Sequence, residues 1–289
     1  MGDHTSSTQL QLFDTDVARS LLDQLLADSK LYKQSGAYKD LLDFTVRLRN
    51  FAPFNAMLLN VQKPGISYAA SPSDWRERFG RTPKDGARPL LILWPFGPVA
   101  LVYDVNDTEG EDLPQEVAPF QARGKIDEAK LKLFESLLKK KLIQWNLLDH
   151  GDRSAGSIQR LRAVEADSDV DTYRININRN HGCAVRFTTL THELGHLFLG
   201  HLGKDKRLNV PERRYADYNQ REIEAESVAY IVCERNGVQL NSQSYLSEFV
   251  DRDTTVDEVD IYQVMRAAGQ VEAILGPSEH TRYERPASR

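Results

Sequence analysis

The chain has 289 residues, of which 40% are hydrophobic and 27% charged, and its formal net charge is −5 at pH 7. This length and composition are ordinary for a globular protein with one large domain or two moderate ones. The absence of any run of 18 apolar residues excludes a membrane-spanning helix, and the acidic balance excludes tight nucleic-acid binding over the whole surface.

The ends of the chain and its cysteine content bear on its location. The first dozen residues lack the basic and then apolar pattern of a signal peptide, so we interpret 1–15 as a disordered tail and 276–289 as a polar one. Two cysteines, Cys183 and Cys233, are too few for a disulfide framework and are typical of a reducing compartment. The predicted location is the cytoplasm.

The N-terminal part, residues 16–110, is predicted to be a small α+β domain that begins with helices. Apolar residues recur at helical spacing over 16–34 and 37–50. A further short helix is predicted between Pro53 and Pro64, because the segment between these prolines is largely apolar.

A capped helix and a hairpin are predicted to complete this domain. In SPSDWRERFG, Ser71 or Ser73 is expected to cap a short helix that ends at Gly80. The segments PLLILWPF and VALVYDV are rich in β-forming residues, and the tight Gly97–Pro98 connection between them predicts a hairpin.

Acidic residues, Pro and Gly in 111–125 predict a linker, and 126–275 is predicted to be a largely helical domain with a small sheet. Its first helix is expected over 126–145. The later elements expected are strands over 157–164 and 172–177 and helices over 187–201, 220–235, 243–250 and 256–275. The predicted fold class is therefore α+β.

The sequence THELGH, within a predicted amphipathic helix, contains the strongest chemical signal. His192 and His196 are four residues apart, so a helix presents both imidazoles on one face to a single metal ion. Glu193 is rotated about 100° from His192, which suits a general base beside the metal. Zinc lowers the pKa of a water molecule that it binds to about 7, and a carboxylate can then accept a proton from that water.

A catalytic zinc ion needs a third protein ligand, and the predicted helix QREIEAESVAYIVCER offers three glutamates. Glu222 and Glu226 flank its apolar face at helical spacing, whereas Glu224 is expected to lie nearer to solvent, as are Ser227 and Ile231. We predict Glu222 as the third ligand, with Glu224 as the fallback. Glu226 is predicted to accept the outer N–H of a ligand histidine.

The sequence is less specific about the roles of the other residues near the motif. His201 follows Gly200, where the helix is expected to end, and is assigned a capping or surface role. Tyr215 and Tyr218 could donate a hydrogen bond to an oxyanion, although aromatic residues in loops more often pack. The strand at 172–178 could present a sheet edge to an extended peptide.

On these motifs, HELGHLFLGH at 192–201 and the following E-x-x-A-E of Glu222, Ala225 and Glu226, the C-terminal half resembles the ImmA/IrrE-type metallopeptidases and the peptidase domain of ArdC-like antirestriction proteins. The N-terminal half resembles the ArdC-type single-stranded DNA-binding domain. The motifs that carry this second resemblance are FAPFNAMLL at 51–59, SDWRERFGR at 73–81, KDGARPLLILWPF at 84–96 and VYDVNDTEG at 102–110. Over about 37–250, the resemblance implies a zincin-like peptidase domain after a smaller DNA-binding domain.

The charge of the N-terminal part is uneven, because eight basic and three acidic residues lie between Thr45 and Arg88, a local charge of +5. Cationic grooves with aromatic stacking platforms bind single-stranded nucleic acid. The candidate contacts are Arg47, Arg49, Trp75, Arg76, Arg78, Arg81 and Lys84. Equally, the aromatic residues could be core and the arginines a solvated face.

Two functional hypotheses follow. The leading one is a zinc-dependent metalloendopeptidase of the HExxH class that acts on a regulatory or DNA-associated protein. The alternative is an antirestriction or regulatory protein that binds single-stranded DNA and whose zinc site is structural or inessential. The sequence names no substrate protein, cleavage site or oligomeric state.

Overall fold

The computed structural model describes residues 35–94, 97–112, 126–149, 156–161, 171–239 and 259–275, and they form an α+β structure, as predicted. The predicted helices over 16–34 and 243–250, both tails and most of the linker lie outside these residues. None of the described helices is both long and apolar enough to cross a bilayer.

The described elements are seven helices and eight strands. In chain order they are α1 (Ser35–Arg47), α2 (Pro53–Gln62), β1 (Ala69–Ala70), α3 (Pro72–Phe79), β2 (Arg81–Pro83), β3 (Leu90–Trp94), β4 (Gly97–Asp104), β5 (Thr108–Gly110), α4 (Glu128–Lys139), β6 (Ile143–Leu148), β7 (Gly156–Leu161), β8 (Thr172–Asn178), α5 (Cys183–Phe198), α6 (Tyr218–Arg235) and α7 (Ile261–Leu275). A single 3-10 turn, Val105–Asp107, joins β4 to β5.

The contacts divide the chain into two units. The first contains the described residues from Asn55 to 112, and the second contains 35–54 and all described residues from 126 onward. Helix α1, which the sequence reading placed in the N-terminal domain, therefore belongs to the second unit.

In the first unit, both ends of α3 are those that the sequence predicts. The Ser71 side chain accepts a hydrogen bond from the backbone N–H of Asp74 at 3.1 Å, which satisfies one of the free donors at the start of the helix. Gly80 ends the helix in the left-handed region, at φ 59°, where a side chain is disfavoured. Of the two predicted caps, the structure selects Ser71.

The predicted hairpin is confirmed as β3 and β4, which pair antiparallel with Leu90 opposite Val102. The connection differs in detail, because Gly97 and Pro98 already belong to β4. Side-chain amides of α2 cover the other edge of β3. Asn55 bonds both the N–H and the C=O of Leu93, at 2.9 and 3.1 Å, and Gln62 bonds those of Leu91 at 2.7 and 2.8 Å. The strand edge is thus satisfied without a further strand.

The second unit contains a three-stranded sheet in the order β6–β8–β7, with β8 parallel to β6 and antiparallel to β7. The helix predicted over 126–145 is too long. Helix α4 ends at Lys139, and Leu142 has a φ of 60° in the turn that leads into β6. The reason is local, since IQWNLL alternates polar and apolar residues with the period of a strand.

Helices α5 and α6 pack closely in this unit because Gly195 has no side chain at their contact. A Cβ atom built at Gly195 would lie 3.2 Å from the Cα and from the carbonyl oxygen of Ala225. The contact sets the separation of the two helices that carry the predicted metal ligands.

A buried arginine ties α6 to α1 and α7. Arg235 is 3% exposed, and its Nε lies 2.6 Å from Glu272 Oε1 on α7. Its remaining N–H groups donate to two backbone carbonyls, that of Thr45 in the last turn of α1 at 2.7 Å and that of Phe51 beyond the end of the helix at 2.8 Å. Arg235 thereby satisfies carbonyls at the end of α1 that have no helical partner.

We expect Arg235→Ala to destabilise the protein by about 3–5 kcal/mol, because it leaves the Glu272 carboxylate and several carbonyls buried without their cation. Denaturant unfolding of the full chain measures the change. Arg214→Ala is the control, since it removes an arginine whose partner, Glu212, is also on the surface, and its unfolding midpoint should match wild type. Equal midpoints for all three proteins would contradict the assignment.

Candidate metal centre

The two motif histidines lie on one face of α5. Four apolar residues, Leu190, Leu194, Leu197 and Phe198, bury the opposite face of the helix. This packing fixes the rotation of α5 and directs His192 and His196 away from the core. Their Nε2 atoms lie 3.2 Å apart.

Glu222 of α6 completes a group of three donors. One of its carboxylate oxygens lies 3.5 Å from His192 Nε2, and the other lies 3.5 Å from His196 Nε2. Ligands that bind zinc at 2.0–2.1 Å in a tetrahedron lie about 3.3–3.4 Å from each other. The two nitrogens are close to this spacing, whereas the two 3.5 Å separations involve different oxygens of Glu222. With one donor atom taken from each residue, the three atoms lie within 4.8 Å of one another, so the group could hold a metal ion. A metal ion needs at least three such donors close together, and in the described part of the chain no other group of His, Cys, Asp or Glu residues has this spacing.

Glu226 lies behind His192, on the side away from the three donor atoms. Its Oε2 is 3.4 Å from His192 Nδ1, where it can accept the outer N–H of that ring. Such a bond leaves the Nε2 lone pair of His192 directed toward a metal ion. The distance is compatible with the predicted role of Glu226, which stays a prediction.

Glu193 is nearly buried, at 9% exposure, between α5 and strand β7. The backbone N–H of Ile158 donates to its carboxylate, but burial dominates and raises the pKa of Glu193. The strand lies close because Gly156 has no side chain. A Cβ built there would meet Thr189 at 2.4 Å and Glu193 Oε1 at 3.6 Å.

The strand at 172–178, expected to present a sheet edge, is instead the central strand β8 and is paired on both sides. The alternation of apolar and polar residues in β8 is typical of a central strand and of an edge strand alike. The sequence pattern therefore did not reveal that β8 has two partners. The edge beside Glu193 belongs to β7. Among the described strands β7 pairs only with β8, so its other edge has no strand partner there.

Two residues near the centre are not where the sequence reading expected them. Glu224 was expected near solvent, together with Ser227 and Ile231, but all three are 0% exposed. Glu224 tolerates burial because Arg213 binds both of its oxygens at 2.7 Å. It therefore lies behind the centre and is not the third member of the group.

His201, expected to cap the helix or lie on the surface, is 2% exposed. Its Nδ1 lies 2.9 Å from His196 Nδ1 and its Nε2 lies 3.1 Å from Glu224 Oε2. The helix ends at Phe198, and the turn at Gly200, with φ 84°, returns His201 toward the interior. The repeated glycine–histidine pair in HELGHLFLGH was the only sequence signal for this residue.

The two histidines of the group differ in their electrostatics. Burial opposes protonation of His192, but the hydrogen bonds that its ring donates to the carboxylates of Glu222 and Glu226 outweigh burial and raise its pKa to about 10. For His196, burial together with the neighbouring His192 and His201 lowers the pKa to about 3. In the metal-free centre, His192 is therefore the more basic of the two rings and is the one that carries an extra proton at neutral pH.

The remaining residues near the motif lie on its periphery. Tyr215 and Tyr218 are 80% and 73% exposed, and Tyr218 begins α6 one turn before Glu222. Cys183 begins α5, where its Sγ lies 3.4 Å from Glu128 Oε1. Cys233 is buried against Thr191, and burial raises its pKa to about 12.

The predicted nucleic-acid contacts of the first unit fall into two groups. Trp75 is fully buried and its indole N–H donates to the carbonyl of Tyr103 at 2.9 Å, so its ring offers no face to a base. Arg81 is occupied by Thr108 and Glu111. The side chains that are exposed are Arg76, Arg78 and Lys84.

The local charge of +5 between Thr45 and Arg88 is not the charge of the first unit, whose described residues begin at Asn55 and include acidic residues beyond Arg88. Its described residues, 55–94 and 97–112, contain six basic and eight acidic side chains, a net charge of −2. Asp104 and Asp107 are two of these acidic residues, and both lie within 2.8 Å of Lys63 Nζ, whose charge they offset. The two other candidates belong to the second unit, where Arg47 is exposed and the Arg49 carbonyl accepts from Arg235.

No family model matches the chain, and no curated protein matches its sequence. Similar solved structures include the antirestriction ArdC protein from the R388 plasmid in its Mn(II)-bound form, with 14% identity and a TM-score of 0.42, covering 91% of this chain and 96% of that one. The metal-free form of that protein has 14% identity and a TM-score of 0.37, with coverage of 90% and 95%.

We expect metal affinity to rise with pH. Because the pKa of His192 is raised to about 10, its proton competes with the ion at neutral pH, and acid strengthens that competition. Affinity for zinc should increase about tenfold per pH unit between about pH 6 and pH 8. Competition with a chelator measures the slope, and calorimetry in buffers of different ionisation enthalpy should count about one released proton. A flat profile without proton release would refute this electrostatic account.

Proposed function

We propose that the chain is a zinc-dependent hydrolase, with His192, His196 and Glu222 as the metal ligands. The observation that carries the proposal is the grouping of these three residues beside Glu193. The Nε2 atoms of the histidines lie 3.2 Å apart, and one oxygen of Glu222 lies 3.5 Å from the first ring and the other 3.5 Å from the second. A histidine pair with one carboxylate is a common donor set of catalytic zinc and leaves the fourth position open for water or substrate.

The side chains around this centre would have different roles in hydrolysis. A bound zinc ion would supply Lewis acidity that polarises a carbonyl group and activates water. Glu193 would accept the proton from that water, and burial raises its pKa toward the range of a useful base. Glu226 would hold the ring of His192 in its orientation.

A peptide bond is the substrate that we propose. Strand β7 carries a backbone edge beside Glu193 with no partner strand among the described residues. An extended peptide can add to such an edge through main-chain hydrogen bonds, which would hold a scissile carbonyl near the base. On this proposal, a regulatory or DNA-associated protein would supply the peptide.

The variant Glu193→Gln tests the proposal. It should bind zinc in a 1:1 ratio, unfold like wild type and cleave a quenched fluorescent peptide library at least about a hundredfold more slowly, because the amide cannot accept a proton. Glu135→Gln is the matched control, since it makes the same change on an exposed face of α4 and should cleave at the wild-type rate. Wild type without stoichiometric zinc, or equal cleavage by wild type and Glu193→Gln, would refute the proposal.

A second candidate function is binding of single-stranded DNA, with a metal site that is inessential to it. The observation that favours it is the exposure of Arg76, Arg78 and Lys84 in the first unit, in the half of the chain that resembles the ArdC-type DNA-binding domain. Arginine and lysine neutralise phosphates and release counterions, so such binding would weaken steeply as salt rises. The net charge of −2 limits it to a local patch.

Fluorescence anisotropy with an oligo-dT strand tests this candidate. If Arg76 and Arg78 each contact a phosphate, the double variant Arg76→Ala/Arg78→Ala should bind more weakly and reduce the salt slope by about 1.4, at about 0.7 per contact. Arg179→Ala, at a 53% exposed side chain of the second unit, is the control. Glu193→Gln should bind like wild type. Undetectable or salt-independent binding by wild type would eliminate the candidate.

A further inference from the structure

A buried chain of hydrogen bonds runs from a carboxylate to the outer side of His196. It passes from Glu224 Oε2 to His201 Nε2 over 3.1 Å, and from His201 Nδ1 to His196 Nδ1 over 2.9 Å. We infer that Glu224 and His201 are positioning residues that set the tautomer and ring orientation of His196 for metal binding. The inference rests on the metal site of the proposed function.

The direction of the first hydrogen bond follows from the surroundings of Glu224. A carboxylate can only accept, and this one also accepts two bonds from Arg213 at 2.7 Å and one from the backbone N–H of Asp260 at 2.9 Å. Gln220 donates to it as well, at 3.2 Å. The Nε2 of His201 must therefore carry a proton.

The direction of the second hydrogen bond follows from charge. Arg213 binds both oxygens of Glu224, so this buried negative charge already has a cation and does not require a second one on His201. A neutral imidazole has one N–H, which leaves His201 Nδ1 as an acceptor. His196 must then donate from Nδ1, and its Nε2 keeps the lone pair that a metal ion needs.

The two ligand histidines are therefore oriented by different means. The outer nitrogen of His192 faces the carboxylate of Glu226 directly, whereas that of His196 faces a neutral ring which a carboxylate orients in turn. Without His201, the proton of His196 could occupy Nε2, the atom that faces His192 and Glu222. Loss of such an orienting partner typically weakens metal binding 10–100-fold.

The variants His201→Asn and His201→Phe separate orientation from packing. Asparagine is smaller than histidine but keeps a hydrogen-bond acceptor near the position of Nδ1, whereas phenylalanine fills the space and has no acceptor. If His201 orients His196, zinc affinity measured by chelator competition should fall about 10–100-fold in His201→Phe and less in His201→Asn. A role in packing alone predicts the opposite order, because the asparagine leaves a cavity.

Nitrogen NMR of the metal-free full-length protein gives a readout that does not depend on zinc. In wild type, His196 should be the Nδ1–H tautomer, and in His201→Phe the Nε2–H form should appear. An Nε2–H tautomer for His196 in wild type would overturn the inference without any variant, as would a phenylalanine variant that binds zinc as well as the asparagine one. Absence of zinc binding in wild type would instead refute the proposed function, while the tautomer would still decide the role of His201.

Discussion

The candidate centre depends on the close contact between α5 and α6 at Gly195. Helix α5 alone can present two histidines, but two nitrogen donors do not make a tetrahedral site. The third donor comes from α6, and Glu222 reaches both histidines because Gly195 has no side chain where α5 meets the backbone of Ala225 on α6. Since the glycine lies inside HELGH, the motif encodes the packing of its own helix as well as two of the donors.

Buried charges hold the surroundings of this contact in one arrangement. Arg213 with Glu224 lies behind the histidines, and Arg235 with Glu272 lies at the far end of α6. Replacing such pairs with apolar residues is often neutral or stabilising, so their value here is not simply stability. Each pair donates or accepts several directed bonds, and directed bonds fix the rotation of a helix where apolar packing tolerates small shifts. Arg235 in this way joins α1 to the unit that holds the centre.

The parts of the centre that the sequence predicts are those that a single helix determines. His192, Glu193 and His196 follow from spacing on α5, and Glu222 and Glu226 follow from spacing on α6. Glu224 was misjudged because helical spacing gives the angle between residues but not which elements cover each face. Its partners Arg213 and Asp260 lie 11 and 36 residues away. His201 was missed because it lies beyond the helix end, where a backbone turn decides its position.

The charge of a stretch of sequence also fails to predict the charge of the folded surface, because the sequence does not show which residues fold together. A window of sequence from Thr45 to Arg88 has a charge of +5, yet the first unit, which shares most of that window, has a net charge of −2 among its described residues. Folding pairs the window with acidic residues of β4 and the turn after it, so that Lys63 meets Asp104 and Asp107. Folding also places Trp75 in the core. Any nucleic-acid surface of the first unit is therefore limited to the few cations that remain exposed, because a count of charges along the sequence does not show which of them folding pairs or buries.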